Sequence, residues 1–148
     1  MEPFSIEAIE HRTMADLDEL ARAVPYPVLV PSQWPNELTP IRYSIALDRS
    51  GVAIAYAILA KALLADAKSL LVISGTPRRY DPEFSDPYVR VTLSGFEGRM
   101  AIIDDATGRY RVTLSVETVV VKLESAGLTR GTFERVAGSL VRAPLQLA

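Results

Sequence analysis

The sequence has no cysteine and only one histidine, His11, among its 148 residues. The absence of thiols excludes disulfides, thiolate metal sites and cysteine nucleophiles. Glu7 and His11 are spaced for one face of a helix, as in some metal sites, but zinc sites need three or four protein ligands. We therefore expect a solvated surface side chain at His11, and we predict no metal and no cofactor for the chain.

Catalytic motifs are also missing. The sequence contains no G-x-S-x-G nucleophile elbow, and its glycines at 95 and 98 lack the spacing of a phosphate-binding loop. Asp104-Asp105 falls in a predicted turn, where aspartate is favoured for bonding to the backbone. Asp16, Asp18 and Glu19 fall in the first turn of a predicted helix, where acids complement the dipole. These patterns favour a protein that is not an enzyme.

Neither sign of charge dominates, and no apolar run is long. The formal net charge of -2 provides no attraction to nucleic acid. The longest apolar run, 51–65, is interrupted by Lys61 and is shorter than the ~20 residues of a bilayer span. The N-terminal residues include acids and lack the apolar core of a signal peptide. The chain as written is expected to be soluble and cytoplasmic, without a membrane span.

What the sequence does contain is clearest near its C-terminal end. An alternation of apolar and polar residues predicts a strand that ends near Glu117. The phase of the alternation shifts at Glu117-Thr118 and a second alternating stretch follows. This shift predicts a tight hairpin turn or a bulge at Glu117-Thr118. The apolar residues are Tyr110, Val112, Leu114 and Val116 before the shift and Val119, Val121 and Leu123 after it. Thr129 is a candidate N-cap for a helix over 128–142. The apolar face of that helix is Phe133, Val136, Ala137, Leu140 and Val141.

The middle of the chain reads as further strands with short turns. Alternation predicts strands from Ile41 to Leu47, Val52 to Ile58 and Val89 to Leu93. Leu70 to Ser74 is predicted to be a buried strand, and Met100 to Ile103 a strand that follows a turn bracketed by Gly95 and Gly98. The stretch from Leu59 to Lys68 is interpreted as a short helix because it is rich in Ala, Leu and Lys. A strand is the alternative for this stretch. Gly75 to Pro87 is predicted to be a long loop. This order favours an α+β fold, a mostly antiparallel meander sheet of about seven strands with an N-terminal and a C-terminal helix packed on it.

The N-terminal part is predicted to form a helix and then an extended segment. Thr13 and Asp16 resemble a capping box for a helix from Met14 to Val24. The four prolines between Pro25 and Pro35 exclude a helix and a central strand, so this segment should lie extended over the core. Its anchors would be Val28, Val30 or Trp34. The chain is thus predicted to be one domain, with a helical arm (1–24), a proline-rich segment (25–40), a sheet (41–125) and a helix (128–142).

One loop carries candidate ligand-binding residues, Arg78, Arg79 and Tyr80. Long loops that combine such groups are often functional, and adjacent arginines can grip a carboxylate or phosphate. The alternative is a solvated loop whose aromatic side chains hold it to the edge of the sheet.

Three parts of the sequence together resemble a known family. They are the proline-rich stretch Pro27–Pro35, the strand from Val52 to Tyr56, and the terminal helix from Phe133 to Leu140. The set resembles a bacterial domain of unknown function found at the C-terminal ends of extracytoplasmic lipoproteins and anti-sigma factors. The resemblance implies no catalytic residues. It implies an extracytoplasmic location if an upstream segment precedes this sequence.

The sequence therefore predicts a non-enzymatic domain that serves as a sensory or protein-interaction module. Its partner would be an unknown protein, homo-oligomers are compatible with it, and nucleic acid is not expected. The alternative is a carrier of a small hydrophobic ligand, held in a cavity between the sheet and a helix.

Overall fold

The alternating segments of the sequence become the paired strands of an antiparallel sheet. The computed structural model describes residues 10–32, 34–35, 38–62, 69–77 and 86–143. Its elements are β1 (Glu10–Met14), α1 (Leu17–Ala23), β2 (Val28–Pro31), β3 (Thr39–Leu47), β4 (Ala53–Lys61), β5 (Leu70–Pro77), β6 (Val89–Leu93), β7 (Phe96–Asp104), β8 (Arg109–Val116), β9 (Val119–Ala126), α2 (Arg130–Ala137) and β10 (Leu140–Ala143). The predicted α+β class with an antiparallel sheet is confirmed.

In the described residues the main sheet has eight strands, in the order β1-β3-β4-β5-β9-β8-β7-β6, rather than about seven. β2 and β10 form a separate antiparallel pair. One face of the main sheet, the inner face, carries a continuous apolar row from β3 to β7. The row consists of Tyr43, Ile58, Ile73, Leu123, Val112 and Met100. Side chains of α1, α2, β2 and β10 pack with this face in one hydrophobic core.

Contacts between the inner face and its cover are close and specific. The rings of Tyr110 and Phe133 lie 5.4 Å apart, and the Leu29 N–H donates to the Tyr56 hydroxyl at 3.1 Å. A Cβ at position 75 would overlap the ring of Tyr56, so this close approach requires glycine. The Ser94 hydroxyl donates to the Ala137 carbonyl at 2.7 Å, which ties the β6–β7 turn to α2. Buried side chains therefore fill the space between sheet and cover.

The terminal hairpin agrees with the prediction. β8 and β9 pair across a turn at Glu117-Thr118, where Glu117 has a φ of 57°. The predicted apolar residues of both strands are buried. Thr129 is the N-cap of α2, and its hydroxyl accepts a hydrogen bond from the Thr132 N–H at 3.2 Å.

The predicted extent of the C-terminal helix, 128–142, is wrong. α2 ends at Ala137, and the next residue, Gly138, is the C-cap. The chain then forms β10, so Leu140 and Val141 lie in a strand instead of on the helix. The reason is tertiary, since β2 offers an unpaired edge and β10 supplies the hydrogen bonds it needs.

The predicted N-terminal helix also begins too early. Thr13 and Met14 belong to β1, which pairs with the edge of β3. The helix begins at Leu17, and its cap is Asp16, whose side chain accepts from the Glu19 N–H at 2.9 Å. Pairing with β3 satisfies the backbone of Glu10–Met14, and local helix propensity does not compete with it.

Two predicted irregular or helical stretches contribute to strands. Residues 59–61, expected to start a short helix, are the end of β4, while 63–68 lie outside the described residues. Residues 75–77, expected to open a long loop, are the end of β5. The turn after β6 consists of Ser94 and Gly95 alone, so Gly98 lies within β7 instead of bracketing the turn. In the described part of the proline-rich segment, β2 is extended and the chain packs on the core as predicted, with Val28 and Val30 buried and Trp34 against the core.

Candidate functional site

The residues singled out in the sequence do not form a common site in the described structure. Arg78, Arg79 and Tyr80 lie outside the described residues. His11 is exposed on β1, a strand and not a helix, and Glu7 lies outside the described residues. Among the residues that the structure describes, no group of three or more His, Asp or Glu side chains is placed to hold a metal ion.

The carboxylate pair of the β7–β8 turn has structural partners. The Asp104 carboxylate accepts from the Ala106 N–H at 3.0 Å, as in an Asx turn. The Asp105 carboxylate accepts from the Tyr110 hydroxyl at 2.7 Å, and this hydrogen bond raises the pKa of Tyr110 above its ordinary value. Both carboxylates thus help to close the turn.

The most site-like feature is a groove on the outer face of the sheet, opposite the core. It has a volume of about 410 Å³ and crosses β1, β3, β4 and β5. Its lining residues are His11, Arg12, Thr13, Arg42, Ser44, Ala57, Leu59 and Val72. We call it the outer-face groove.

Strand register explains how these residues come together. Antiparallel pairing places Leu59 beside Arg42 on one side and Val72 on the other, and it places Ala57 beside Ser44. Thr13 of β1 is opposite Ser44 and continues that second row. The floor of the groove is therefore small and apolar, and the residues at its margin are polar or basic.

The apolar floor comes from an unusual strand. An antiparallel strand with one solvated face alternates apolar and polar residues, whereas a strand buried on both faces is apolar throughout. β4 reads AIAYAILAK, so it has the composition of a strand buried on both faces. Its inner residues Tyr56 and Ile58 are buried, but Ala55, Ala57 and Leu59 on the outer face are only half-buried.

The margin of the groove is basic. Arg12 and Arg42 are exposed, and Arg12 forms an ion pair with Glu10 at 2.6 Å. The hydrogen bond in that pair raises the pKa of Arg12 and lowers the pKa of Glu10. Both groups are therefore charged at neutral pH. Arg42 contributes a second guanidinium, which can pair with a carboxylate of a bound molecule.

The far half of the outer face, on β9, β8, β7 and β6, is charged instead. Arg111 forms ion pairs with Asp86 and, at 3.2 Å, with Glu124. The guanidinium of Arg99 lies 5.1 Å from the ring centroid of Tyr88. A second groove of about 350 Å³ lies near the end of this half, and its lining residues include Arg90, Thr92, Glu97 and Arg99. Its wall is more polar than that of the outer-face groove.

The outer-face groove was not among the sites predicted from the sequence. The available signal was the run Ala53–Ala60, in which alanine and leucine replace the polar residues of an ordinary half-buried strand. Register with β3 and β5, which places Arg42 and Val72 beside that run, was not readable from one sequence.

Comparisons with known proteins do not assign the chain to a family. No protein-family model matches the chain, and no curated protein or solved structure matches it. In the described part of the chain, neither helix is long and apolar enough to cross a membrane.

Proposed function

We propose that the chain is a non-enzymatic protein-interaction module that binds its partner at the outer-face groove. The observation that carries this proposal is the apolar outer row of β4, Ala55, Ala57 and Leu59, in a position where a solvated sheet face would be polar. Half-buried apolar side chains with a polar margin are typical of surfaces that bind other proteins.

The chemistry of the groove defines the partner further. Arg12, Arg42 and His11 supply basic or neutral groups around an apolar floor, and none of the lining residues that the structure describes is acidic. A segment that alternates apolar and acidic side chains would bury the former on Leu59 and Val72 and pair the latter with Arg42, which lies beside Leu59. A partner of this kind fits better than a basic one.

The packed inner face supports this proposal over an interior lipid carrier. Phe133, Tyr56 and Leu29 are fully buried between sheet and cover. Phe133 packs on Tyr110 of the sheet, and the Leu29 N–H donates to the Tyr56 hydroxyl. A hydrophobic ligand there would have to displace these side chains. An outer surface can receive a partner without such a rearrangement.

A peptide titration tests the proposal. Three synthetic peptides of equal length would alternate leucine with glutamate, leucine with lysine, and serine with glutamate, and each would be added to ¹⁵N-labelled protein. We expect the leucine–glutamate peptide to shift amide resonances of β3, β4 and β5 selectively. Shifts confined to α2 and β2 would instead indicate the interior carrier, and no selective shift with any peptide would overturn the proposal.

Charge reversal provides the matched control. Arg42→Glu places an acid at the margin of the groove and should weaken binding of the leucine–glutamate peptide about tenfold. Arg49→Glu makes the same change in charge in the exposed β3–β4 turn, roughly 20 Å along the strand. This variant should bind as the original chain does. Equal loss in both variants would mean that only net charge matters.

A further inference from the structure

The two edges of the eight-stranded sheet differ in how they are protected. β1 forms one edge with the sequence EHRTM, in which Glu10, His11 and Arg12 are exposed. Charges of this kind discourage pairing with another strand. β6 forms the other edge with the sequence VRVTL, and in the described part of the chain no strand pairs with its outer side. Such a β-branched, nearly uncharged edge is a template for strand addition.

Apolar surface is exposed at the same edge. Val89 is 58% exposed, the highest value among the large apolar residues that are exposed, and Ile102 on the neighbouring strand is 42% exposed. Val91, Leu93 and Phe96 are partly buried at the margin of the core. The core thus ends in an open apolar margin along β6.

We propose that β6 pairs antiparallel with β6 of a second copy of this chain, about a two-fold axis at Val91. In this register Val89 lies opposite Leu93 of the partner copy, Arg90 opposite its Thr92, and Val91 opposite its Val91. All five residues of the strand are then paired. The eight-stranded sheets of two copies become one continuous sheet.

Backbone geometry favours this register. Ser94 and Gly95 both have positive φ, 55° and 82°, which defines a two-residue turn of the primed type. In such a hairpin the flanking residues Leu93 and Phe96 exchange hydrogen bonds, so Leu93 and every second residue before it point their backbone groups toward β7. The N–H and C=O groups of Arg90 and Thr92 therefore point to the free edge. A two-fold axis at Val91 pairs these groups with each other across the interface.

Charges on the outer face are complementary in the same register. Within one copy Arg90 is directly opposite Arg99, while Thr92 is opposite Glu97. Like charges in directly opposed positions are unfavourable. In the dimer, the cross-strand pair Arg90–Arg99 of one copy lies next to the pair Thr92–Glu97 of the other copy, with Arg90 opposite Thr92 across the interface. Arg90 and Glu97 of the second copy are then roughly 10 Å apart at their backbones, with the small Thr92 between them, so their side chains can meet.

Alternative registers lose these features. An axis at Arg90 would place the two copies of Arg90 against each other. An axis at Thr92 would leave Val89 without an apolar partner. The inner side also favours the axis at Val91, because it brings Val89 over Leu93 and Phe96 of the second copy and covers the exposed margin of the core.

Sedimentation velocity of the full chain over about 1–500 μM tests the association, since pairing of one short strand gives a small interface of modest affinity. We expect a concentration-dependent monomer–dimer equilibrium. Arg90→Glu should weaken the dimer about tenfold, and adding Glu97→Arg to that variant should restore it. Arg22→Glu on exposed α1 is the control for net charge and should not change the equilibrium. A monomer at all concentrations, or a dimer that Arg90→Glu leaves unchanged, overturns the proposal.

Cysteine crosslinking tests the register, because the chain has no cysteine of its own. At a two-fold axis between non-hydrogen-bonded residues the Cα atoms lie about 4.5 Å apart, within the range of a disulfide. Val91→Cys should therefore form a covalent dimer under mild oxidation much faster than Val52→Cys, an exposed position in the β3–β4 turn. Equal rates for the two variants would contradict the β6 axis. Retention of the far-UV circular dichroism spectrum confirms that each variant is folded.

Discussion

The inner and outer faces of the main sheet are built from the same strands, yet they are completed in different ways. The inner face is covered by α1, α2 and the β2–β10 pair, and its central residues are fully buried. The outer face has a small, apolar half on β3–β5 and a charged half on β6–β9, where Arg111 links Asp86 and Glu124. Most of the described core therefore lies on the inner face, whereas the outer face is in contact with solvent.

Two adjacent residues of β4 show the difference between the inner and the outer face. Ile58 points to the inner face and is 0% exposed, whereas Leu59 points to the outer face and is half-buried. Both are branched aliphatic side chains of the same volume class. What differs is the environment, so substitutions at these two positions separate the contribution of burial from that of residue type.

The largest expected effect is on the inner face, at the contact between α2 and the sheet. Phe133→Ala removes a fully buried ring that packs on Tyr110. We expect a loss of about 3–5 kcal/mol in the free energy of unfolding, as for other buried aromatic side chains. Urea denaturation followed by circular dichroism measures this loss. An unchanged midpoint would mean that α2 does not contribute to the core.

The second prediction sets the two faces against each other directly. Ile58→Ala should cost about 2–5 kcal/mol because it leaves a cavity in the core. Leu59→Ala should cost about 1 kcal/mol or less because its site is partly solvated and cannot form a closed cavity. If Leu59→Ala destabilised the chain as much as Ile58→Ala, the outer face would have to be covered in the folded state.

The third prediction concerns alkaline pH, at which a buried tyrosine of the inner face lowers the free energy of unfolding. Burial raises the pKa of Tyr56 to about 12 from an ordinary value of 10.0. Between these two values the unfolded chain loses the proton of this tyrosine while the folded chain keeps it, so stability falls as pH rises. The expected loss is about 3 kcal/mol, fully developed only above the folded-state pKa. Burial also raises the pKa of Tyr26, which adds to the loss in the same direction.

Tyr56→Phe separates this contribution from those of other groups. At neutral pH the variant should be less stable by about 1–3 kcal/mol, because the Leu29 N–H loses its acceptor. Between pH 10 and pH 12 the gap should narrow, since phenylalanine has no proton to lose. Urea denaturation curves at a series of pH values provide the measurement. A constant gap across that range would show that Tyr56 does not titrate with a raised pKa.

The predicted elements match the structure best where a pattern of neighbouring residues decides the conformation. The β8–β9 hairpin, its turn at Glu117-Thr118 and the Thr129 cap were all predicted, because alternation, phase and capping are properties of neighbouring residues. The predictions were wrong where pairing with a distant segment decides the local structure. Met14 and Leu140 were assigned to helices, and pairing with β3 and β2 makes both of them strand residues.

The candidate site could be predicted from the sequence less well than the fold. Arg78, Arg79 and Tyr80 were selected for their chemistry alone, and their role stays a prediction because they lie outside the described residues. The outer-face groove depends on the register of strand pairing. If β4 and β5 were shifted by one residue, Leu59 and Val72 would face the core, and Ile58 and Ile73 would face the solvent. No single strand contains that information.

The sequence by itself determined the class of this protein and the content of its core. Period-two patterns with short turns specify an antiparallel sheet, and the absence of cysteine excludes thiol chemistry, because both are local or compositional properties. Only the tertiary structure decided which strands are neighbours and where each helix stops. The physical reason is that a backbone segment forms whichever hydrogen bonds and burial the folded chain offers it. β1, β10 and the outer row of β4 acquire their roles only from the partners beside them.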